Sequence, residues 1–583
     1  MTNSEIANVL EQLADLLEFQ GANAFRIRAY RAGARRIRDL SESIASIVAE
    51  DPGRLTALEG IGKGVAEKCV TLVTSGELPQ LNDLLENIPS TVLDILRVPG
   101  MGPKKAAMLY RELQIENLEQ LQAACEAGKV QELKGFGAKT EQTILGGIAI
   151  ADAANQRIYW SVADRIAGEL RDHLGGCPAI DQLELAGSYR RGRETVGDLD
   201  LLVVSTRGEE VMDRLALFPQ VGDVIARGET KMSVRLASGL QVDLRVVPKK
   251  SFGAALQYFT GSKDHNVHLR GLARQQDLKI NEYGVFRIEE DGSETYIAGK
   301  DEKDVYATLG LPLFPPELRE AREEFQWAQD DALPPLLKQD DLRGDLHMHT
   351  TATDGKATLE EMAQAAIDRG LEYIAITDHS QRVTVAGGLD PERLRAQWKQ
   401  VEQLNQQLEG QLLVLKGIEC DILEAGGMDL PDDVLAEADW VIASVHFGQR
   451  QSREQITDRI LGAIANPHIS IVAHPTGRLV NRREPYEVDM DAVMQAAAET
   501  GTLLELNANP ARLDLHDVHC AAARSRGIPI VISSDAHSIE GLDVLRYGVL
   551  QARRGGLSMD DVANTRSWKK LKQLVGQSTS SRG

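Results

Sequence analysis

The sequence predicts a multidomain fold in three parts: an all-α N-terminal region, an α+β centre and a C-terminal β/α barrel. Three observations predict it. Gly-x-Gly turns recur between short helical stretches in the first 150 residues, and strand-like runs with paired aspartates alternate with helices over 151–315. Beyond residue 340, seven short apolar runs are separated by helical stretches, and most end in histidines or carboxylates. At 583 residues the chain can hold several domains, each burying its own core.

The helical part opens with MTNSEIANVLEQLADLLEF, an amphipathic helix with a polar cap and none of the features of a signal peptide. LEGIGKGVAEK (58–68), VPGMGPKKAAML (98–109) and LKGFGAKTEQTIL (133–145) share an apolar-x-Gly-x-Gly turn followed by a helix start. Gly60 and Gly62, Gly100 and Gly102, and Gly135 and Gly137 allow a tight turn that leaves the N–H groups of the next helix to meet a DNA phosphate. These segments resemble helix-hairpin-helix elements. FRIRAYRAGARRIR (25–38) adds six arginines and no acid, a further candidate phosphate-binding stripe.

Net charge is −22, which counts against a nucleic-acid partner when taken over the whole chain, but residues 1–150 hold 16 basic and 20 acidic side chains and carry only −4 of it. No apolar run approaches membrane-spanning length, so a soluble protein without membrane contact is expected. Cys69, Cys125, Cys177, Cys420 and Cys520 are scattered and never form Cys-x-x-Cys, which fits a reducing cytoplasm and argues against a zinc knuckle.

The centre carries GSYRRGRETVGDLDLLVV (187–204). Asp198 and Asp200 at a strand start point to one face, where they suit Mg²⁺ or Mn²⁺. Gly187 and Ser188 can offer N–H groups and a hydroxyl to a triphosphate, and Arg191 can clamp it. Asp243 in LQVDLRVV (240–247) would complete a two-metal site suited to activating a 3′-hydroxyl and neutralising leaving pyrophosphate.

In the last part, His347, His349, Asp354, His379, Glu419, His446, His474, Asp535 and His537 would meet at the C-terminal ends of barrel strands. These mixed nitrogen and oxygen donors suffice for two or three Zn²⁺, Mn²⁺ or Fe²⁺ ions and imply phosphoester hydrolysis. His516 and His519 fall away from any strand end and read as surface residues, and His468 lies at a strand start on the opposite barrel face.

Taken together, GSYRRG with GDLD, the Asp243 strand, YFTGS (258–262) and the histidine set closely resemble the bacterial and archaeal family X DNA polymerases with a C-terminal PHP (polymerase and histidinol phosphatase) domain, over residues 5 to 570. The first part also resembles DNA polymerase beta. The resemblance implies that Asp198, Asp200 and Asp243 are catalytic metal ligands and that Arg157, Ser188, Arg191 and Gly197 contact the triphosphate. It places Tyr258 and Gly261 beside the incoming sugar, and Asn266 and Arg270 along the minor groove. Val196, Gln241 and Lys263 depart from the beta enzyme's serine, arginine and aspartate and bear on nucleotide affinity and sugar discrimination. Lys68 aligns with the lyase lysine that forms a Schiff base with an abasic sugar, and Arg26 and Tyr30 with groups holding the 5′-phosphate. In the barrel the resemblance implies one ion on His347, His349, Glu419 and Asp535, a second on Glu419, His446 and His474, and a third on Asp354, His379 and His537.

The domains expected are two helix-hairpin-helix units (1–85 and 86–150), a palm (151–250), a nascent-pair subdomain (251–315), a linker (316–342), the PHP domain (343–575) and a disordered tail (576–583). The reading is a monomeric, cytoplasmic, nucleoid-associated repair polymerase acting in base excision repair on gapped or 3′-recessed DNA and dNTPs, with 3′-5′ exonuclease, 3′-phosphatase or abasic-site endonuclease activity. The alternatives are a non-templated nucleotidyltransferase with a small-molecule phosphatase domain and a non-catalytic DNA-end scaffold. The Gly-x-Gly repeats and YFTGS speak against the first alternative, and the intact ligand sets against the second.

Overall fold

The computed structural model describes residues 3–580 apart from 39, 41, 59, 90, 93–94, 96–97, 99–100, 134, 138–139, 143 and 146–156. The chain divides into two compact units, Met1–Gln156 and Arg157–Gly583.

The first unit is helical. Helix Asn3–Phe19 packs Ile6, Leu10, Leu13 and Leu17 against helix Ala24–Arg38, which buries Ile27, Tyr30, Ala34 and Ile37 at helical spacing. Arg31 and Arg38 of the basic stripe turn onto that first helix, where Arg31 pairs with Asp15 and Glu18 at 2.7 and 2.6 Å and Arg38 with Glu11 at 2.5 Å. The three glycine turns share one hydrogen-bond pattern. Ile61, Met101 and Phe136 each donate an N–H to the carbonyl three residues back, at 3.1, 2.8 and 3.0 Å. Gly62, Gly102 and Gly137 then accept the first helical bonds from Val65 and Ala66, Lys105 and Ala106, and Thr140 and Glu141. Gly60 and Gly135 sit at φ +85° and +94°, conformations that favour glycine. Gly100 lies outside the described residues.

The second unit opens with a short strand, Ile158–Tyr159, and helix Trp160–Gly175, then a five-stranded sheet: β1 (Gln182–Leu185), β2 (Asp198–Val204), β3 (Val221–Arg227), β4 (Lys231–Leu236) and β5 (Gln241–Val247), ordered β1-β2-β5-β4-β3. Only β2 and β5 run parallel, and their register sets Asp200 directly opposite Asp243. Helices Phe252–Thr260 and Lys263–Arg274 follow, then a three-stranded antiparallel sheet over 278–298.

The barrel comprises β6 (Gly344–Asp345), β7 (Tyr373–Ile376), β8 (Leu413–Asp421), β9 (Trp440–Ser444), β10 (Ile471–Val472), β11 (Leu503–Asn507) and β12 (Ile530–Ser533), all parallel and in chain order. Its strands are buried along nearly their whole length, as covered parallel strands are. A bridge from Met348 to Ala536 nearly closes the ring, and Asn564 spans the gap by donating to Gly344 and Ile532 carbonyls at 2.7 and 2.8 Å.

Three expectations need correction. Residues 316–342 are no free tether: Leu318, Arg319, Glu324, Phe325 and Leu337 are buried. Arg319 is held there by Glu302 at 2.6 Å and the Phe314 carbonyl, because a buried cation needs a partner on every side. The tail is helical as far as Ser580; Trp568 and Leu571 anchor the helix on the barrel, and an established helix propagates cheaply. His516 and His519 are half-buried rather than surface groups, since His516 starts helix Asp517–Ser525 and faces Asp517 and Glu194.

Candidate active sites

The palm site grows from the β2–β5 pairing. Asp198 is exposed at the strand start, while Asp200 and Asp243 are half-buried beside it. Burial first, then the Asp198 and Asp243 carboxylates, push Asp200 up to about 7. Three converging carboxylates with so little positive compensation are a fitting seat for a divalent cation. Lys231 approaches Asp243 at 3.4 Å, and the neutral Gln241 amide donates to it at 3.1 Å.

Gly187 lies at φ +65°, and a Cβ there would collide with the Asp200 carboxylate. The glycine therefore lets the turn close over that carboxylate. Ser188 is half-buried on the same short helix, Gly187–Arg190. Arg157 is fixed by Thr195, to whose hydroxyl and carbonyl it donates at 2.9 and 2.6 Å, and it approaches the space above Gly197. Arg191 donates to the Thr260 carbonyl and, at 3.1 Å, to Glu320. Asn266 donates to the Tyr258 carbonyl at 2.8 Å and accepts from Gln257 at 2.7 Å, so the YFTGS turn and the next helix are locked together. Gly261 ends its helix at φ +70° facing Arg191, and Arg270 is half-buried one turn beyond Asn266.

In the barrel all nine expected residues converge, with Glu419 at the centre. One of its oxygens faces His474 at 3.2 Å and His446 at 3.4 Å; the other faces His379 at 2.9, His347 at 3.4 and His349 at 3.6 Å. Asp535 reaches His349 at 3.3 Å and His347 at 3.6 Å, and Asp354 reaches His537 at 3.4 Å and His379 at 3.6 Å. Three groups bring their donor atoms within 4.8 Å of one another: His349–Asp354–His379–His537, His347–His349–Asp535 and His379–Glu419–His446. His349 and His379 are thus each shared between two groups, whereas the expected sets shared only Glu419.

Several of these donors face one another but, although buried, make no hydrogen bond. They include His347 Nε2, both His349 nitrogens, His379 Nδ1 and Glu419 Oε2. Such orphaned atoms are costly unless an ion takes them, so the donor set fits divalent metals. Burial works against charge on His379, but Glu419 and Asp354 outweigh it and raise the imidazole to about 10. His474 and Asp535 stand at φ +28° and +54°, rare for non-glycine residues and a mark of functional constraint.

Sequence reasoning missed the groups that aim these ligands. Glu505 accepts from His347 Nδ1 at 2.6 Å and from the His474 N–H at 2.7 Å. Asp421 holds His446 Nδ1 at 3.0 Å, and Asn507 donates to Asp535 at 3.0 Å. A signal was available: Glu505 is an acid inside the apolar run TLLELNAN, and Asp421 shares a strand face with Glu419.

In the first unit, Gly62 and Gly102 begin their helices with extended backbone and no side-chain cap. Arg26 donates to the Tyr30 hydroxyl at 3.2 Å and to Gln80 at 3.0 Å, and Lys68 is half-buried on helix Lys63–Ser75.

Fold and geometry define a two-centre class of protein, a nucleotidyltransferase palm joined to a PHP-type phosphoesterase barrel. Family models match accordingly: a helix-hairpin-helix domain over residues 1–78, a SAM-like helix-hairpin-helix tandem over 92–148, the DNA polymerase beta thumb over 255–320 and the PHP domain over 345–509. The DNA polymerase/3′-5′ exonuclease PolX of Bacillus subtilis (strain 168) is 41% identical over 577 residues, 99% of each chain. DNA polymerase lambda of Rattus norvegicus is 25% identical over 344 residues, 54% of this chain and 56% of its own. A probable phosphatase of Thermoanaerobacter sp. (strain X514) is 30% identical over 235 residues, 38% of this chain and 89% of its own. The chain belongs to the PolX family, the family X DNA polymerases with a C-terminal PHP domain.

Proposed function

We propose that the protein is a repair polymerase that fills short gaps by template-directed nucleotidyl transfer and trims 3′ ends in its barrel. The observation that carries this reading is the coexistence of a palm carboxylate triad and an intact nine-donor barrel in one chain. In the palm, Asp198, Asp200 and Asp243 would hold Mg²⁺ or Mn²⁺, which supplies Lewis-acid stabilisation of the transferring phosphoryl group. Arg157, Ser188, Arg191 and Gly197 orient the triphosphate, so the 3′-hydroxyl meets the α-phosphorus in line. Tyr258 and Gly261 bound the sugar, and Asn266 and Arg270 track the nascent pair.

In the barrel the nine donors would hold two or three ions, with Mn²⁺ the preferred occupant over Zn²⁺ or Fe²⁺. Glu505, Asp421 and Asn507 keep the ligands' donor atoms pointed inward, and the phosphoester is hydrolysed there as 3′-5′ exonuclease, 3′-phosphatase or abasic-site endonuclease chemistry. The glycine turns at 60–62, 100–102 and 135–137, with Arg26 and Tyr30, would grip gapped or 3′-recessed DNA by its backbone. Lys68 would act as a 5′-deoxyribose-phosphate lyase nucleophile, which borohydride trapping to an abasic 5′ end should capture in the wild type and not in Lys68→Ala. A monomer working on the nucleoid in the cytoplasm is the corresponding setting.

The test uses a gapped duplex with Mn²⁺ and dNTPs. Asp198→Ala/Asp200→Ala should lose extension and retain 3′ resection, and His347→Ala should do the reverse. Extension persisting in the double aspartate variant, or proceeding without a template, would favour the non-templated alternative or sink the palm assignment.

A further inference from the structure

The palm and the barrel meet through a buried chain of charges that runs into the GSYRRG turn. Helix Leu545–Arg554 of the barrel lies against that turn so closely that a Cβ on Gly192 would stand 2.5 Å from Leu550. At the end of this helix, Arg554 reaches the turn once directly and once through Glu320. It donates to the Arg191 carbonyl at 2.8 Å, and at 3.0 Å to the same Glu320 oxygen that accepts from the Arg191 guanidinium at 3.1 Å. Asp517 of the neighbouring helix anchors Arg554 from behind at 2.7 Å and also pairs with Arg322 at 3.2 Å. The side chains of Arg554, Glu320 and Asp517 are 3%, 9% and 1% exposed, so solvent screens these contacts little.

The shared oxygen matters for charge as well as for orientation. Bound to Arg191 alone, Glu320 would neutralise the cation meant for a triphosphate. With Arg554 on the same oxygen, and Arg193 at 3.7 Å from the other, the carboxylate is divided among three cations. Arg191 then keeps part of its charge while its planar fork stays fixed.

We propose that Arg554 of the barrel is a positioning residue for nucleotide binding in the palm, acting through Glu320 and the Arg191 carbonyl. The proposal rests on the reading of Arg191 as a triphosphate contact. It makes nucleotide affinity at one active site depend on a residue of the domain that carries the other.

Single-nucleotide insertion on a gapped duplex, measured with the full chain, tests it in Arg554→Met, Arg554→Lys, Arg191→Lys and the double variant Arg191→Lys/Arg554→Met. Arg554→Met should raise KM for dNTP about tenfold while kcat stays within about threefold, since a charge-assisted contact to a binding group is lost and the metal ligands are untouched. Arg554→Lys should fall between, because a point charge cannot make both contacts. The double variant should be no worse than Arg191→Lys alone. If Arg191→Lys itself leaves KM unchanged, the triphosphate reading fails. If it raises KM but Arg554→Met does not, or if the two effects simply multiply, the positioning role is overturned. Should Arg554→Met melt below the assay temperature, Arg554→Lys carries the test: unchanged KM in that variant, or a loss in kcat alone, counts against the proposal.

Discussion

The palm and the barrel both gather carboxylates at strand ends, but they are built to different degrees of completion. In the palm, three aspartates stand on two strands, one of them exposed; Lys231 and Gln241 contact Asp243, and Arg157, Arg191 and Arg245 act on the other two through their charge. In the barrel, nine donors from successive strands close around Glu419, and a second layer of acids and amides fixes them from behind. The difference teaches that the palm is an open half-site, which metal and nucleotide would complete together. The barrel is a preorganised cage whose geometry the protein alone supplies.

The largest expected effect tests the cage. Glu419→Ala removes the carboxylate common to five imidazoles, and 3′ resection should fall about a thousandfold, corresponding to several kcal/mol of lost stabilisation. Bound Mn²⁺ per chain, read by elemental analysis, should fall with it; full retention of metal and activity would remove Glu419 from the centre.

Next is the palm's dependence on one close approach. Gly187→Ala places a methyl against Asp200 at a backbone conformation alanine disfavours. Extension should drop about a hundredfold, as for a displacement of one ångström at a reacting centre, with resection unaltered.

A smaller effect probes the second layer. Glu505→Gln keeps the shape and loses the charge behind His347, so Mn²⁺ affinity measured by calorimetry should weaken about tenfold. No change would mean that the backing acids are dispensable.

The smallest effect concerns the framework that carries both sites. Glu302, though burial opposes ionisation, is held down to about 2 by Arg190 and Arg319, and Glu320 to about 2 by Arg554 and Arg191. Each therefore stabilises the fold fully above its ordinary value of 4.5 and loses that contribution as pH falls through about 2. The melting temperature should decline over this window, and Glu302→Gln should make the decline shallower.

Much of the molecule was legible in the chain itself. Asp198-x-Asp200 announces a shared strand face, and a period of two needs no tertiary information. The three glycine turns repeat the same hydrogen bonds because a tight turn into a helix leaves few backbone solutions. Histidines closing successive strands meet because parallel β/α connections put all strand ends on one face. The segment 316–342 was opaque, since prolines and charges read alike in a tether and in a packed strap. Only the facing partners, Glu302 for Arg319 and Arg554 for Glu320, distinguish the two.

By itself, then, the sequence determined which residues could carry chemistry and which strands and turns would present them, because local periodicity and backbone freedom are properties of neighbours in the chain. Only the tertiary structure decided how the two centres are joined. Arg554 and Arg191 are 363 residues apart, and their meeting through Glu320 depends on how a barrel helix packs against a palm turn. No local pattern encodes that contact; buried charges at the interface enforce it, because each would be destabilising without the other.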